Sequence, residues 1–213
     1  MVSFSTQKAG DVQGENPSNF VIPGYLVMFV FMTSGFSAAQ IVKERQNHTL
    51  ERLMATSADR SAILGGIFGG TVARGLIQII IFWAMGIFVF KMDLGVAPAA
   101  VFLISLIMIL MSSAFGVMLA TLVKTERSAI SIGNLTSLIL APLGGCWWPL
   151  FITPMWMQTI AKITPHAWAT TGFNKLLVFG GDFNSVVPNM LVLLGFTVVF
   201  GSIALLRFRT AAD

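Results

Sequence analysis

Few side chains in this sequence could serve as nucleophile, base or metal ligand: Ser34 and Ser37 in the run SGFS, the two histidines His48 and His166, and the single Cys146. A serine nucleophile needs a base beside it to take its proton, and SGFS lies in an apolar run that holds no histidine. The chain contains no phosphate-binding G-x-x-x-x-G-K-[ST], no H-E-x-x-H and no pair of acids inside an apolar run. One cysteine precludes an intrachain disulfide and a cysteine-rich metal cluster, so Cys146 reads as a small packing residue. These absences point away from an enzyme and from a resident cofactor. The charge gathers elsewhere: Lys43–Arg60, KERQNHTLERLMATSADR, holds seven of the chain's 13 basic and 9 acidic residues.

The elements around that stretch are apolar. Hydrophobic residues make up 55% of the 213 and charged residues 10%, against roughly a quarter charged in soluble domains. An all-α, polytopic membrane bundle is the expected fold. Five segments approach the ~20 helical residues that cross a bilayer: Val21–Val42, Ala62–Phe90, Ala99–Val123, Ala129–Pro149 and Val186–Leu206. Basic residues are scattered in short groups between these runs rather than clustered with aromatics, which argues against nucleic acid as a partner. Connections 43–60 and 124–128 and the tail from Arg207 carry eight Lys and Arg, whereas 1–20, 91–98 and 150–185 carry four. The positive-inside rule then predicts an external N-terminus and a cytoplasmic C-terminus in a multi-pass protein of a bacterial plasma membrane. Residues 1–20 form a flexible external tail, 21–207 the membrane domain and 208–213 a cytoplasmic tail.

Within that topology, 43–60 is the largest cytoplasmic element. Asn47 is expected to cap a helix whose Leu50, Leu53 and Met54 share one stripe. It could lie on lipid headgroups or dock a protein, and three acids among its charges weaken the lipid reading. Arg74 is the one charged residue within the five segments. It is expected to snorkel to an interface or to form a polar face with Gln78 one turn on. Asn134 should face another helix or a cavity, because an amide exposed to lipid is costly. Opposite 43–60, the stretch 150–185 reads as a re-entrant hairpin: Thr164–Pro165 opens a short helix, and Trp147, Trp148, Trp156 and Trp168 form an aromatic belt or line a gate beside Pro149. His166 is expected to cap or hydrogen-bond rather than bind metal, since His48 lies across the membrane.

Two motifs at this separation carry a resemblance. KERQNHTLERL followed by ILGGIFGGTVARGLIQ resembles the segment between the second and third spans of type-2 ABC exporter permeases, and APLGGCWWPLFITPMWMQTIAKITPHAWATTGFNKLL resembles their external hairpin. The match covers about Gly24 to Arg207. It implies that Glu44, Arg45, Thr49, Leu50, Glu51, Leu53 and Met54 belong to a coupling helix seated on an ATPase subunit. ATP would be bound and hydrolysed on that subunit, with no cofactor on this chain. A glycine common before the threonine is His48 here, the proline common after the helix is absent, and an acid frequent near 151 is Phe151. The resemblance implies an exporter of hydrophobic or amphipathic cargo such as a drug, antibiotic or lipid-like molecule, completed by a second permease copy or paralogue. The alternative is a secondary transporter or channel subunit. Family members have six spans, so the five expected here suggest either a shorter permease or a chain that lacks its first helix.

Overall fold

The computed structural model describes residues 16–49, 52, 55 and 60–210, with backbone only for residues 60, 61, 64 and 208–210. The described residues form helices α1 (Ser18–Gln46), α2 (Arg60–Ala84), α3 (Pro98–Leu122), α4 (Glu126–Leu143), α5 (Met155–Ala161), α6 (Pro165–Leu177) and α7 (Phe183–Thr210). A π-helical turn, Met85–Val89, continues α2, and a 3-10 turn, Leu150–Ile152, precedes α5.

Local chemistry sets most of the boundaries. Pro98 occupies the first turn of α3, where its missing N–H costs nothing. Thr125 caps α4, its Oγ1 accepting from the Ser128 N–H at 3.1 Å, and Glu126 in the first turn complements the helix dipole. Thr164 caps α6 through the Ala167 N–H at 3.3 Å with Pro165 following, as the sequence predicts.

Packing divides the helices into inner and outer sets. α1 runs through the middle, against α2, α3, α4 and α6, and α7 closes over α3 and α6. α1 and α3 are apolar on nearly all sides, which suits buried positions. Leu26, Val27 and Phe31 of α1 meet Ile104, Met108 and Met111 of α3, Phe173 of α6 and Leu193 of α7 in one core. α2 and α7 leave most of their apolar surface outward.

Among the described residues, four helical stretches have the length and apolarity to cross a bilayer: Ser18–Gln46, Gly65–Val89, Pro98–Leu122 and Phe183–Arg207. The polytopic helical fold therefore stands; the bounds of the expected fifth segment, Ala129–Pro149, shift, while α4 still runs antiparallel to α1 from the α3–α4 turn to the hairpin end. α4 begins earlier, at Glu126, and stops at Leu143. Its 18 residues make about 27 Å of helix, with Glu126 and Arg127 diluting its apolarity. Beyond Pro142 the chain turns at Gly144 and at Gly145, whose φ of +76° suits a residue without a Cβ.

Candidate functional site

One end of the bundle carries the charged segment. The structure ends α1 at Gln46 and makes Asn47 its C-cap, the Asn47 N–H donating to the Lys43 carbonyl and the following His48 N–H to that of Arg45. This corrects the expected N-cap role of Asn47. His48 has φ +56°, a left-handed conformation that non-glycine residues seldom adopt. Its carbonyl accepts from the Arg52 N–H at 3.1 Å, and Thr49 begins the new helical turn. The glycine expected from the resemblance would thus stand where the backbone most favours one. Leu50, Glu51, Leu53 and Met54 lie outside the described residues.

Arg45 points inward. Its Nη1 donates to the Ala120 carbonyl at 3.2 Å and its Nη2 to the Val123 carbonyl at 2.5 Å, while Gln46 Nε2 donates to the Lys124 carbonyl at 3.0 Å. The Ala120 carbonyl lies in the last turn of α3 and those of Val123 and Lys124 just past it, so none has a partner inside that helix, and a cation there complements the dipole. The end of α1 is thereby fastened to the α3–α4 turn.

Glu44 faces a different way, into a cleft of about 380 Å³ between α1 and α2. Ser37, Gln40, Thr71 and Arg74 share it, over a floor that includes Gly66 and Gly70. Gln40 Nε2 donates to Glu44 Oε1 at 3.2 Å. Arg74 stands roughly 14 Å of helix beyond Gly65, the start of the apolar window of α2. That is nearer the middle of the window than its end. Gln78 does not meet Arg74; its amide pairs with the Thr33 hydroxyl of α1 at 2.8 Å. Thr33 Oγ1 also lies 2.7 Å from the Phe29 carbonyl and has one hydrogen to give, so the Gln78 amide is best turned to donate to it.

Asn134 sits on α4 beside the line of contact with α1. Ala129, Gly133 and Ser137 form that line, and Ser137 Oγ donates to the Met28 carbonyl at 2.8 Å. The Asn134 Oδ1 atom is buried and accepts no hydrogen bond, so the expected interhelical bond is not made there within this chain.

The other end holds the tryptophans. Trp147 and Trp148 form an edge-on pair, 6.1 Å between centroids, and Trp147 Nε1 reaches Met28 Sδ at 3.3 Å. Trp148 is partly exposed, and Pro149 leads into the 3-10 turn. His166 is fully buried, its ring 4.4 Å from that of Phe31, and neither ring nitrogen has a partner. This corrects the expected capping or hydrogen-bonding role. Burial pushes its pKa down to about 3, keeping the imidazole neutral. Cys146 is buried with its carbonyl against Gly24, as a packing residue would be, and burial pushes its thiol pKa up.

Several polar anchors escape sequence reasoning. Trp83 is buried and donates from Nε1 to Ser105 Oγ at 3.1 Å, and Ser112 Oγ donates to the Val30 carbonyl at 2.9 Å. No local motif marks them, since each lone Ser or Trp in an apolar run reads as filler until its neighbour is known. The described residues include no cluster of His, Cys, Asp or Glu that could hold a metal.

Among the described residues, an all-helical bundle with four stretches long and apolar enough to span, a charged turn at one end and a short helical hairpin at the other define a polytopic membrane protein. The family described as "ABC-2 family transporter protein" matches residues 3–206, and the chain belongs to it. It is 28% identical over 197 residues to the linearmycin resistance permease protein LnrN of Bacillus subtilis (strain 168), covering 92% of this chain and 50% of that protein. It is 24% identical over 194 residues to ABC transporter G family member 20 of Dictyostelium discoideum, 90% of this chain and 27% of that one. With the inner membrane transport permease YadH of Escherichia coli (strain K12) the identity is 25% over 168 residues, 78% of this chain and 65% of that one. The chain thus spans between about a quarter and two thirds of the length of these relatives.

Proposed function

We propose that this chain forms the membrane-spanning part of an ATP-driven exporter permease, with an ATPase subunit docked on the 43–60 segment at the cytoplasmic end and the 150–185 hairpin outside. The observation that carries this reading is the fastening of Arg45 to the Ala120 and Val123 carbonyls. A push on the segment after His48 would reach α1 directly and the α3–α4 turn through that guanidinium, so several helices would move together. ATP would bind to the partner alone. The outward apolar faces of α2 and α7 fit contact with bilayer lipid or with further membrane helices, and a second permease copy or paralogue would complete the pathway. Cargo is hydrophobic or amphipathic on this reading. The name of the Bacillus relative, which speaks of resistance to linearmycin, supports an antibiotic or similar amphiphile.

Co-purification with a candidate ABC ATPase subunit, followed by ATP turnover and transport in vesicles, tests the proposal. Leu53→Asp is expected to uncouple transport while membrane insertion persists. Unchanged ATPase association and transport in that variant would remove the docking role of 43–60. Cysteines at Thr56 and Gly181 test orientation: labelling of Thr56→Cys, and not of Gly181→Cys, from outside intact cells would invert it.

A further inference from the structure

A second cleft, about 470 Å³, opens at the hairpin end between α6, the start of α7 and the 3-10 turn. Phe151, Trp168 and Phe179 supply its aromatic wall, Phe151 and Phe179 meeting edge-on at 5.1 Å. Lys162 and Lys175 line it and no carboxylate does, which gives it a positive field. Lys175 Nζ is positioned by the Ser185 carbonyl at 3.0 Å and by Asn189 Oδ1 at 2.9 Å. Asn189 is itself 1% exposed and donates to the Trp168 carbonyl at 2.8 Å. An ammonium carries three donors, so Lys175 keeps one to offer.

Two further groups on the cleft lack partners among the described residues. Lys162 is exposed and its ammonium makes no bond there. Asn174 lines the cleft and its side-chain amide is likewise unbonded. That amide is not among the buried polar atoms left without a partner, so it is open to the cleft and can bond a ligand there. The cleft lies beside the first turns of α7, where the apolar window Phe183–Arg207 begins. Cationic groups beside an aromatic wall at that depth match a molecule with an anionic head and an apolar chain.

We propose that this cleft binds the anionic head of an amphiphile, its phosphate or carboxylate against Lys162, Lys175 and Asn174 and its chain along Phe151, Trp168 and Phe179. The site is separate from the α1–α2 cleft and does not depend on the direction of transport. A bilayer lipid or an acidic amphiphile arriving from solution would present the same chemistry.

The test uses the purified full chain in phosphatidylcholine vesicles, titrated with brominated phosphatidylglycerol or brominated phosphatidylcholine. The contribution of Trp168 to fluorescence is the difference between the native chain and Trp168→Phe. Phosphatidylglycerol is expected to quench it at about thirty-fold lower mole fraction, the preference that ~1 kcal/mol for each of the two lysines implies. Lys162→Gln should cut the preference about five-fold, leaving the part due to Lys175, without changing the unfolding temperature, its side chain being exposed. Dodecyl phosphate added from solution identifies the source. Competition by it without a phosphatidylglycerol preference assigns the site to a soluble amphiphile, and the preference without competition assigns it to bilayer lipid. Equal quenching by both lipids with no effect of dodecyl phosphate overturns the site, as does a preference undiminished in Lys162→Gln/Asn174→Leu.

Discussion

Gly35 of α1 and Gly133 of α4 lie backbone against backbone: a Cβ on Gly133 would stand 2.4 Å from the Gly35 Cα, and one on Gly35 3.0 Å from the Gly133 Cα. Small residues allow helices in a membrane to approach this closely, and dispersion and backbone contact then hold them. Gly133→Ala should therefore push α4 away from α1 and cost on the order of 1–3 kcal/mol. Gly66→Ala is the control, since a Cβ there meets nothing within 4 Å. Thermal unfolding in detergent should show a clear drop for the first and little change for the second. Equal midpoints would mean that the close contact contributes nothing.

Arg45 is expected to resist conservative replacement. Arg45→Lys retains the charge but cannot reach the Ala120 and Val123 carbonyls at once from two nitrogens. Losing a charge-assisted bond costs roughly 1.5–3 kcal/mol, and the loss should be local. Amide hydrogen exchange should quicken at the α3–α4 turn in Arg45→Lys and further in Arg45→Met. Exchange confined to the tail of α1 would show that the turn is held by other means.

The left-handed turn at His48, φ +56°, predicts an ordering of substitutions. A β-branched residue there should be destabilising by about 1–2 kcal/mol relative to glycine. If 43–60 docks an ATPase as proposed, His48→Gly should preserve ATP-driven transport, and His48→Val should impair it by misaligning the segment that follows. Equal transport by the Val and Gly variants would show that the turn does not direct that segment.

His166 predicts a pH dependence. Its folded pKa of about 3 lies below the unfolded value near 6.5, so the unfolded chain takes up the proton first. The stability gained by keeping the ring neutral is complete above about 6.5, and is lost as pH falls from there toward 3. The unfolding midpoint should fall on acidification from pH 7 to 5. His166→Phe should lessen that slope and raise the midpoint at pH 5, because neither ring nitrogen loses a partner. An identical slope in the variant would place the acid sensitivity elsewhere.

Some of this architecture is written locally and some is not. Apolar runs long enough to cross a bilayer, the cap at Thr164–Pro165 and the charged turn between the first two helices are properties of contiguous residues. Composition and short-range hydrogen bonding decide them before any packing occurs, and the sequence by itself therefore determined the membrane class, the hairpin and the site of the turn. It could not determine which way Arg45 points, since its acceptors lie 75 and 78 residues away. The inward guanidinium, Trp83 on Ser105, Gly35 against Gly133 and the unpartnered His166 each depend on a surface supplied by a distant helix. The end of α4 was settled in the same way, since the Gly144 carbonyl past it accepts from the Thr170 hydroxyl of α6. A terminal C=O group finds such a partner only where the tertiary arrangement brings another helix.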